Sequence, residues 1–346
     1  MRLGSLNPKL IYQNAVHTWL MAGVILVLLM VVIGGVTRLT QSGLSMVRWE
    51  PIIGAIPPTT AEQWQQEFVE YQASPEFKAY NSHFTLSDYK QIYFWEYLHR
   101  LIGRMVGLVF IFPAMFFWVK GVFDLRMKKQ VMLIFLGGLF QGFLGWYMVK
   151  SGLVDMPHVS HYRLTAHLST ALALAAYIYW LSLEWKIFTR IEAPTIKKGT
   201  IALTVLLGIQ IIYGGLVAGL KAGKMYNTFP KMGRTWFPSD LNTALDLHGV
   251  FSLFANGVVV QFIHRYLAYL VIGGVILLWW RIKKNASELR PLGDYLLIMV
   301  GIQFFLGVLT LIWAVPVSLG LLHQMGAVVL LLGLVKMVKK TAYINH

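Results

Sequence analysis

Apolar residues in this chain collect into long, nearly unbroken runs separated by polar segments. A run of about 20 apolar residues is the length a helix needs to cross roughly 30 Å of hydrocarbon. Eight such runs occur, at about 16–36, 93–118, 130–149, 163–183, 200–220, 257–280, 294–315 and 318–338. At these lengths only helices satisfy their own backbone hydrogen bonds in lipid. The pattern therefore predicts an all-α membrane protein with eight transmembrane helices. The polar connection at about 37–92 is the longest and holds Trp49, Pro51, Pro57-Pro58, Trp64, Phe68 and Tyr71. Residues 60–72 within it predict a short amphipathic helix on the outer surface, either a structural cap or a lid over a site.

The apolar runs also repeat. Span 1 ends in Gly34-Gly35 and span 5 in Gly214-Gly215. Span 2 carries Tyr97-Leu98-His99-Arg100, and span 6 carries Phe262-Ile263-His264-Arg265. Gln141-Gly142-Phe143-Leu144-Gly145 in span 3 matches Gln303-Phe304-Phe305-Leu306-Gly307 in span 7, and His167 matches His323. The offsets shrink along the chain, from 180 to 165, 162 and 156, as duplication followed by loop trimming would leave them. Two four-helix halves follow, 1–190 and 191–346. Four spans return the chain to its starting side, so the halves are parallel and their pseudo-twofold axis should lie along the membrane normal. The second-half counterpart of the long connection, about 221–256, is shorter and rich in Gly, Asn and Pro.

The formal net charge of +15 raises the question of nucleic acid. Its placement answers otherwise. Of 30 Lys and Arg, 17 fall in the N-terminus, near 119–129, 184–198 and 281–292, and at the C-terminal end, all on one side of an eight-span protein. The opposite connections hold ten. This is the positive-inside asymmetry, which predicts cytoplasmic termini and no nucleic-acid partner. The absence of Cys excludes disulfides, iron–sulfur clusters and thiolate chemistry. No cleavable signal is expected, since the first apolar run is long enough to stay as a span.

Against this apolar background, four histidines stand out. His99, His167, His264 and His323 occupy repeat-equivalent places in the even-numbered spans, one or two turns below the outer surface. Polar side chains at such depth are costly and usually functional. A lone His of this kind is as often a packing residue, but four related by a repeat argue for ligation. Zinc would require further Cys, His or carboxylate ligands; two neutral imidazoles from facing helices suit a heme iron. Gly103, Gly107, Ala166, Ala268, Gly326 and Ala327 beside them would leave room for a macrocycle, or serve close helix packing. Arg100, Arg104 and Arg265 could pair with heme propionates or snorkel to headgroups. Glu96 lies three residues before His99 on the same face and is the only acid close to either pair within a span; position 261 is Gln. It is a candidate catalytic carboxylate, or a counter-charge for Arg100 or Arg104. His17, His83, His158, His161, His248 and His346 have no repeat partner and are expected at surfaces, with His158 and His161 placed to line an access path.

The segments Gly34-Gly35-Val36-Thr37-Arg38-Leu39-Thr40-Gln41-Ser42-Gly43-Leu44-Ser45-Met46, Glu96-Tyr97-Leu98-His99-Arg100-Leu101-Ile102-Gly103-Arg104, Met148-Val149-Lys150-Ser151-Gly152-Leu153, Tyr226-Asn227-Thr228-Phe229-Pro230 and Val260-Gln261-Phe262-Ile263-His264-Arg265 run in order along nearly the whole chain. In them the chain resembles heme A synthases, most of all the Cys-free branch shared by mitochondria and many bacteria. The resemblance implies an oxidoreductase that converts heme o to heme A for terminal-oxidase assembly, by oxidising a ring methyl to a formyl group. It implies a multi-pass protein of the bacterial inner membrane. It further implies that His99 and His167 flank the substrate heme in the first half, that His264 and His323 ligate heme b in the second, and that Glu96 is the essential acid, stabilising charge at the methyl or accepting its proton. Partners implied are heme O synthase and oxidase assembly factors, while Gly-rich span faces allow a homo-oligomer. One departure is visible: Ala255-Asn256 stands where the family usually has Glu-Asn. A diheme b-type, quinol-linked electron-transfer protein or a heme carrier would also explain the four histidines, but not the lone Glu96 or the aromatic first connection.

Overall fold

The computed structural model describes residues 8–48, 56–153, 158–186 and 188–342. Trp49, Pro51 and His346, singled out above, lie outside the described residues, as does the side chain of His248. The main helices are α1 (Gln13–Leu39), α2 (Ala61–Gln72), α3 (Leu86–Val119), α4 (Leu125–Leu153), α5 (His161–Ser182), α6 (Pro194–Gly219), α7 (Asp240–His248), α8 (Gly257–Asn285), α9 (Arg290–Ile312) and α10 (Val317–Lys340). All but α2 and α7 are long and apolar enough to cross a membrane, which gives the eight spans expected. Large apolar side chains such as Phe112, Met115, Leu133, Leu136, Ile298 and Phe305 are exposed on these helices. In a water-soluble protein so much exposed apolar surface would be a liability; here it is what lipid contacts.

Two compact units are present, residues 1–163 and 164–346. In the first, α1 packs on α3 through Trp19, whose ring stacks on Phe110 at 5.1 Å and whose indole N–H donates to the carbonyl of Val109. Helix α3 begins seven residues before the apolar run that predicted it. Polar Ser87, Asp88, Lys90 and Gln91 hide this extension from hydropathy. A capping box starts it: Thr85 and Asp88 exchange side-chain and backbone hydrogen bonds, satisfying donors that an open helix end would leave bare.

The extension holds the long connection. Helix α2, itself started by a capping box at Thr60 and Gln63, occupies 61–72 as the amphipathic pattern predicts. Its apolar face is spent on protein. Trp64, Phe68 and Tyr71 pack with Met46 and with Tyr89 and Tyr93 of α3. Tyr71 and Tyr89 are wholly buried, and burial pushes the Tyr71 phenol above its ordinary value. The second unit repeats the device on a smaller scale: Leu241 and Ala244 of α7 pack on Val259, Phe262 and Ile263 in the first turns of α8.

In the second unit α6, α8, α9 and α10 pack together. Asn256 caps α8, its side-chain oxygen accepting from the N–H groups of Val258 and Val259. At the opposite end, Ile191–Glu192 and Thr341–Ala342 form a short parallel strand pair, β1 and β2, in register Ile191 to Thr341. This is the only departure from all-helical structure that forms a named sheet among the described residues. Beside it Lys339, buried, reaches the Glu184 carboxylate at 2.8 Å and lies 4.1 Å over the Trp180 ring. A buried ammonium is costly unless paired, and here it has both an anion and an aromatic face.

Candidate functional site

The second unit brings two of the predicted histidines together. His264 lies two turns into α8 and His323 two turns into α10. Their ring centres are 6.4 Å apart and their planes make an angle of 88°. The two imidazoles are close enough that they could hold one heme iron between them. The rings also rest against backbone. A Cβ at Gly214 would come 3.2 Å from His264 Cε1, and one at Gly307 would come 2.8 Å from His323 Cε1. His264 Nδ1 and Arg265 Nη1 are buried and find no hydrogen-bond partner among the described residues. Unsatisfied buried polar atoms of this kind call for an explanation, and a bound anionic cofactor supplies one. These residues fit a heme.

In each unit the even-span motif also grips the outer connection of its own half. Glu96 is buried. Its Oε2 accepts a hydrogen bond from Ser45 Oγ at 2.7 Å and another from the Met46 N–H at 2.9 Å. Its Oε1 takes Arg100 Nη2 at 2.5 Å. Arg100 also donates to the carbonyls of Met46 and Arg48, each at 3.1 Å. In the second unit, buried Gln261 donates to the carbonyl of Tyr226, and Arg265 Nη2 donates to those of Thr228, Pro230 and Lys231. Met46 and Tyr226, like Arg48 and Thr228, are separated by the same 180 residues as Gly34 and Gly214. The same two side-chain positions thus hold the same stretch of connection in both halves. The first half uses an ion pair and the second a neutral amide.

The model of the cytochrome oxidase assembly protein family COX15-CtaA matches residues 17–335, nearly the whole chain. This chain belongs to that family. Among its COX15-CtaA relatives, the heme A synthase of Flavobacterium psychrophilum is 44% identical over 326 residues, covering 92% of this chain and 96% of the relative. That of Flavobacterium johnsoniae is 43% identical over 327 residues, covering 92% and 95%. The heme A synthase of Nitrosospira multiformis is 41% identical over 333 residues, covering 94% and 92%.

For this COX15-CtaA member the remaining candidates fall as follows. His99 is on α3 in the first unit, against Gly34: a Cβ there would come 2.9 Å from its Cε1. His167 is half-buried on α5, in the second unit. Arg104 lies one turn beyond Arg100 on α3. Of the small residues expected to make room for a macrocycle, Gly107 does face open space. Gly326 does not: a Cβ there would run into the side-chain oxygen of Gln303, so its smallness admits a neighbouring side chain. Sequence reasoning quoted Gly34, Gly214, Gln303 and Gly307 as marks of the repeat without seeing that they touch histidines. The signal was their recurrence beside the histidine motifs. What they touch is a matter of helix rotation, which only packing sets.

Proposed function

We propose that this chain is an oxidoreductase acting on heme o, oxidising a ring methyl to the formyl group of heme A. The observation that carries the reading is a close imidazole pair, His264 and His323, in a chain whose relatives over about nine tenths of its length are heme A synthases. That kinship leaves the electron-transfer and carrier readings without support of their own. The eight apolar helices, together with its bacterial heme A synthase relatives, support a multi-pass protein of the bacterial inner membrane.

His264 and His323 are proposed to hold a resident heme b, which when bound supplies one-electron redox chemistry. Arg265 Nη1, buried beside His264, is the donor placed for a propionate. For the substrate heme the repeat argues for His99 and His167 as the corresponding pair, a pairing carried by sequence. Arg104 is proposed for its propionates. Arg100 is a weaker candidate because its donors already serve Glu96, Met46 and Arg48.

Turning a methyl into a formyl group replaces two C–H bonds with a C=O bond: an oxygen atom is added, four electrons pass to an external oxidant such as dioxygen, and protons are released at the carbon being oxidised. Glu96, one turn from His99, is proposed as the group that stabilises the developing charge and takes up a proton. Its bonds to Ser45 and Met46 hold the carboxylate in one orientation, which costs no reorganisation during reaction. Both termini are assigned to the cytoplasm from the basic residues, with the 1–190 and 191–346 halves related by a pseudo-twofold axis. Heme O synthase and oxidase assembly factors are the partners this role would require, and Gly-rich helix faces allow a homo-oligomer.

The reading is tested by supplying heme o to the purified protein with a reductant and oxygen, and separating the extracted hemes. A formyl product in wild type that is absent in Glu96→Gln is expected. Persistent heme o with b-type heme alone would point to electron transfer.

A further inference from the structure

The contacts behind the two histidines of the second unit follow one rule. On α6, Gln210 and Gly214 are four residues apart and so lie on one face. Gln210 Nε2 donates to the backbone carbonyl of His264 at 3.0 Å, and Gly214 is the glycine against which the His264 ring lies. On α9, Gln303 and Gly307 have the same spacing. Gln303 Nε2 donates to the backbone carbonyl of His323 at 2.8 Å, and Gly307 touches the His323 ring. The carbonyl of Gln303 adds a contact of 3.2 Å to His323 Nδ1. Gly326, on the turn of α10 after His323, leaves the space the Gln303 side chain fills.

The two halves of each contact act mainly on different degrees of freedom, although Gln303 Nε2 also lies 3.1 Å from His323 Nδ1. The amide holds the backbone of the histidine, and so fixes the depth and rotation of its helix against the neighbour. The glycine limits how far the ring can swing about its side-chain torsions, because Cβ at that place would overlap it. A ligating imidazole needs both constraints, since iron binding depends on where the nitrogen points as well as on its distance.

We propose that Gln210–Gly214 and Gln303–Gly307 are Gln-x-x-x-Gly brackets that position His264 and His323 for heme b, and that α1 carries a half-bracket for His99. On α1, Gly34 keeps its place against the His99 ring, but position 30, the equivalent of 210, is Met. The Met30 side chain lies 3.5 Å from where a Cβ on Gly103 would stand, one turn beyond His99. On α4, Gln141 and Gly145 keep the spacing of Gln303 and Gly307, so in the first half only the position equivalent to Gln210 departs from the motif.

The proposal rests on His264 and His323 being heme ligands, and the test separates the two ideas. Gly307→Ala, Gly214→Ala and Gln303→Met are made in the full-length protein. Gly301→Ala and Gly208→Ala serve as controls on the same two helices, since a Cβ at either meets nothing within 4 Å. Each protein is purified in detergent and checked for folding by size-exclusion chromatography and thermal unfolding. The b-type heme content and the low-spin electron paramagnetic resonance signal are then measured. Bracket variants should lose about tenfold or more in heme retention, or shift the low-spin signal, as when residues that orient a ligating histidine are removed. The controls should match wild type. If glycine variants fail to fold, Gln303→Met, which keeps the volume and loses the donor, carries the test. Unchanged heme content and signal in folded bracket variants would overturn the proposal. If His264→Ala and His323→Ala also leave the b-type signal intact, the ligand reading falls with it.

Discussion

Ser45 donates a 2.7 Å hydrogen bond to the buried carboxylate of Glu96, joining the connection that follows α1 to the start of the His99 motif. Together with Arg100, this makes Glu96 a structural tie as well as the candidate acid. Chemistry and anchoring meet in one side chain, so a single truncation reports on both.

Glu96→Ala is expected to destabilise the first unit by about 1–3 kcal/mol, because Arg100 loses its counter-ion and keeps only its bonds to the carbonyls of Met46 and Arg48. Glu96→Gln is expected to fold, since the second unit uses a glutamine at the equivalent position, Gln261, beside Arg265. Both should abolish formyl product. Thermal unfolding in detergent and chromatography of extracted hemes separate the effects. A Glu96→Gln protein that turns over heme o at the wild-type rate would remove Glu96 from the chemistry.

His264→Ala and His323→Ala should each lower b-type heme retention about tenfold or more, in the range seen when metal-site residues are disturbed. His99→Ala should leave b-type heme near its wild-type level and reduce bound heme o. Pyridine hemochrome spectra of the purified variants measure this. Equal loss of both hemes in all three variants would contradict separate sites.

Arg265→Leu removes the donor shared by the Thr228, Pro230 and Lys231 carbonyls. We expect a loss of about 1.5–3 kcal/mol, the range for a charge-assisted bond, moderated where water replaces it. The loss should show as faster hydrogen exchange over 226–235 and little change at 61–72. Exchange that rises equally in both connections would mean that the clamp is global.

Asp124 precedes α4, and the Met127 backbone N–H donated to its carboxylate holds that group below its ordinary value. The unfolded chain has the ordinary value, about 3.9. The resulting stabilisation is complete above that pH and disappears as pH falls through the lower folded value. Asp124→Asn should flatten the acid side of the unfolding profile between about pH 5 and 3, by a small amount because the group is exposed. An unchanged slope would show that the cap does not couple to folding.

Much was legible in the chain itself. Hydropathy located all eight spans because lipid demands about 20 apolar residues wherever a helix crosses. It missed the start of α3, where Ser87, Asp88, Lys90 and Gln91 continue the helix beyond the apolar stretch. The repeat picked out the histidines and arginines, since duplicated motifs survive in order even when loops are trimmed.

What the sequence determined, then, was length, periodicity and the identity of the residues at repeated places. These are properties of a one-dimensional string under the constraint of a bilayer. Helix rotation and depth are not. They follow from side chains meeting across elements far apart in the chain. Only packing could set His264 and His323 at 6.4 Å, press both against glycines, and turn Glu96 and Arg100 toward residues 45–48.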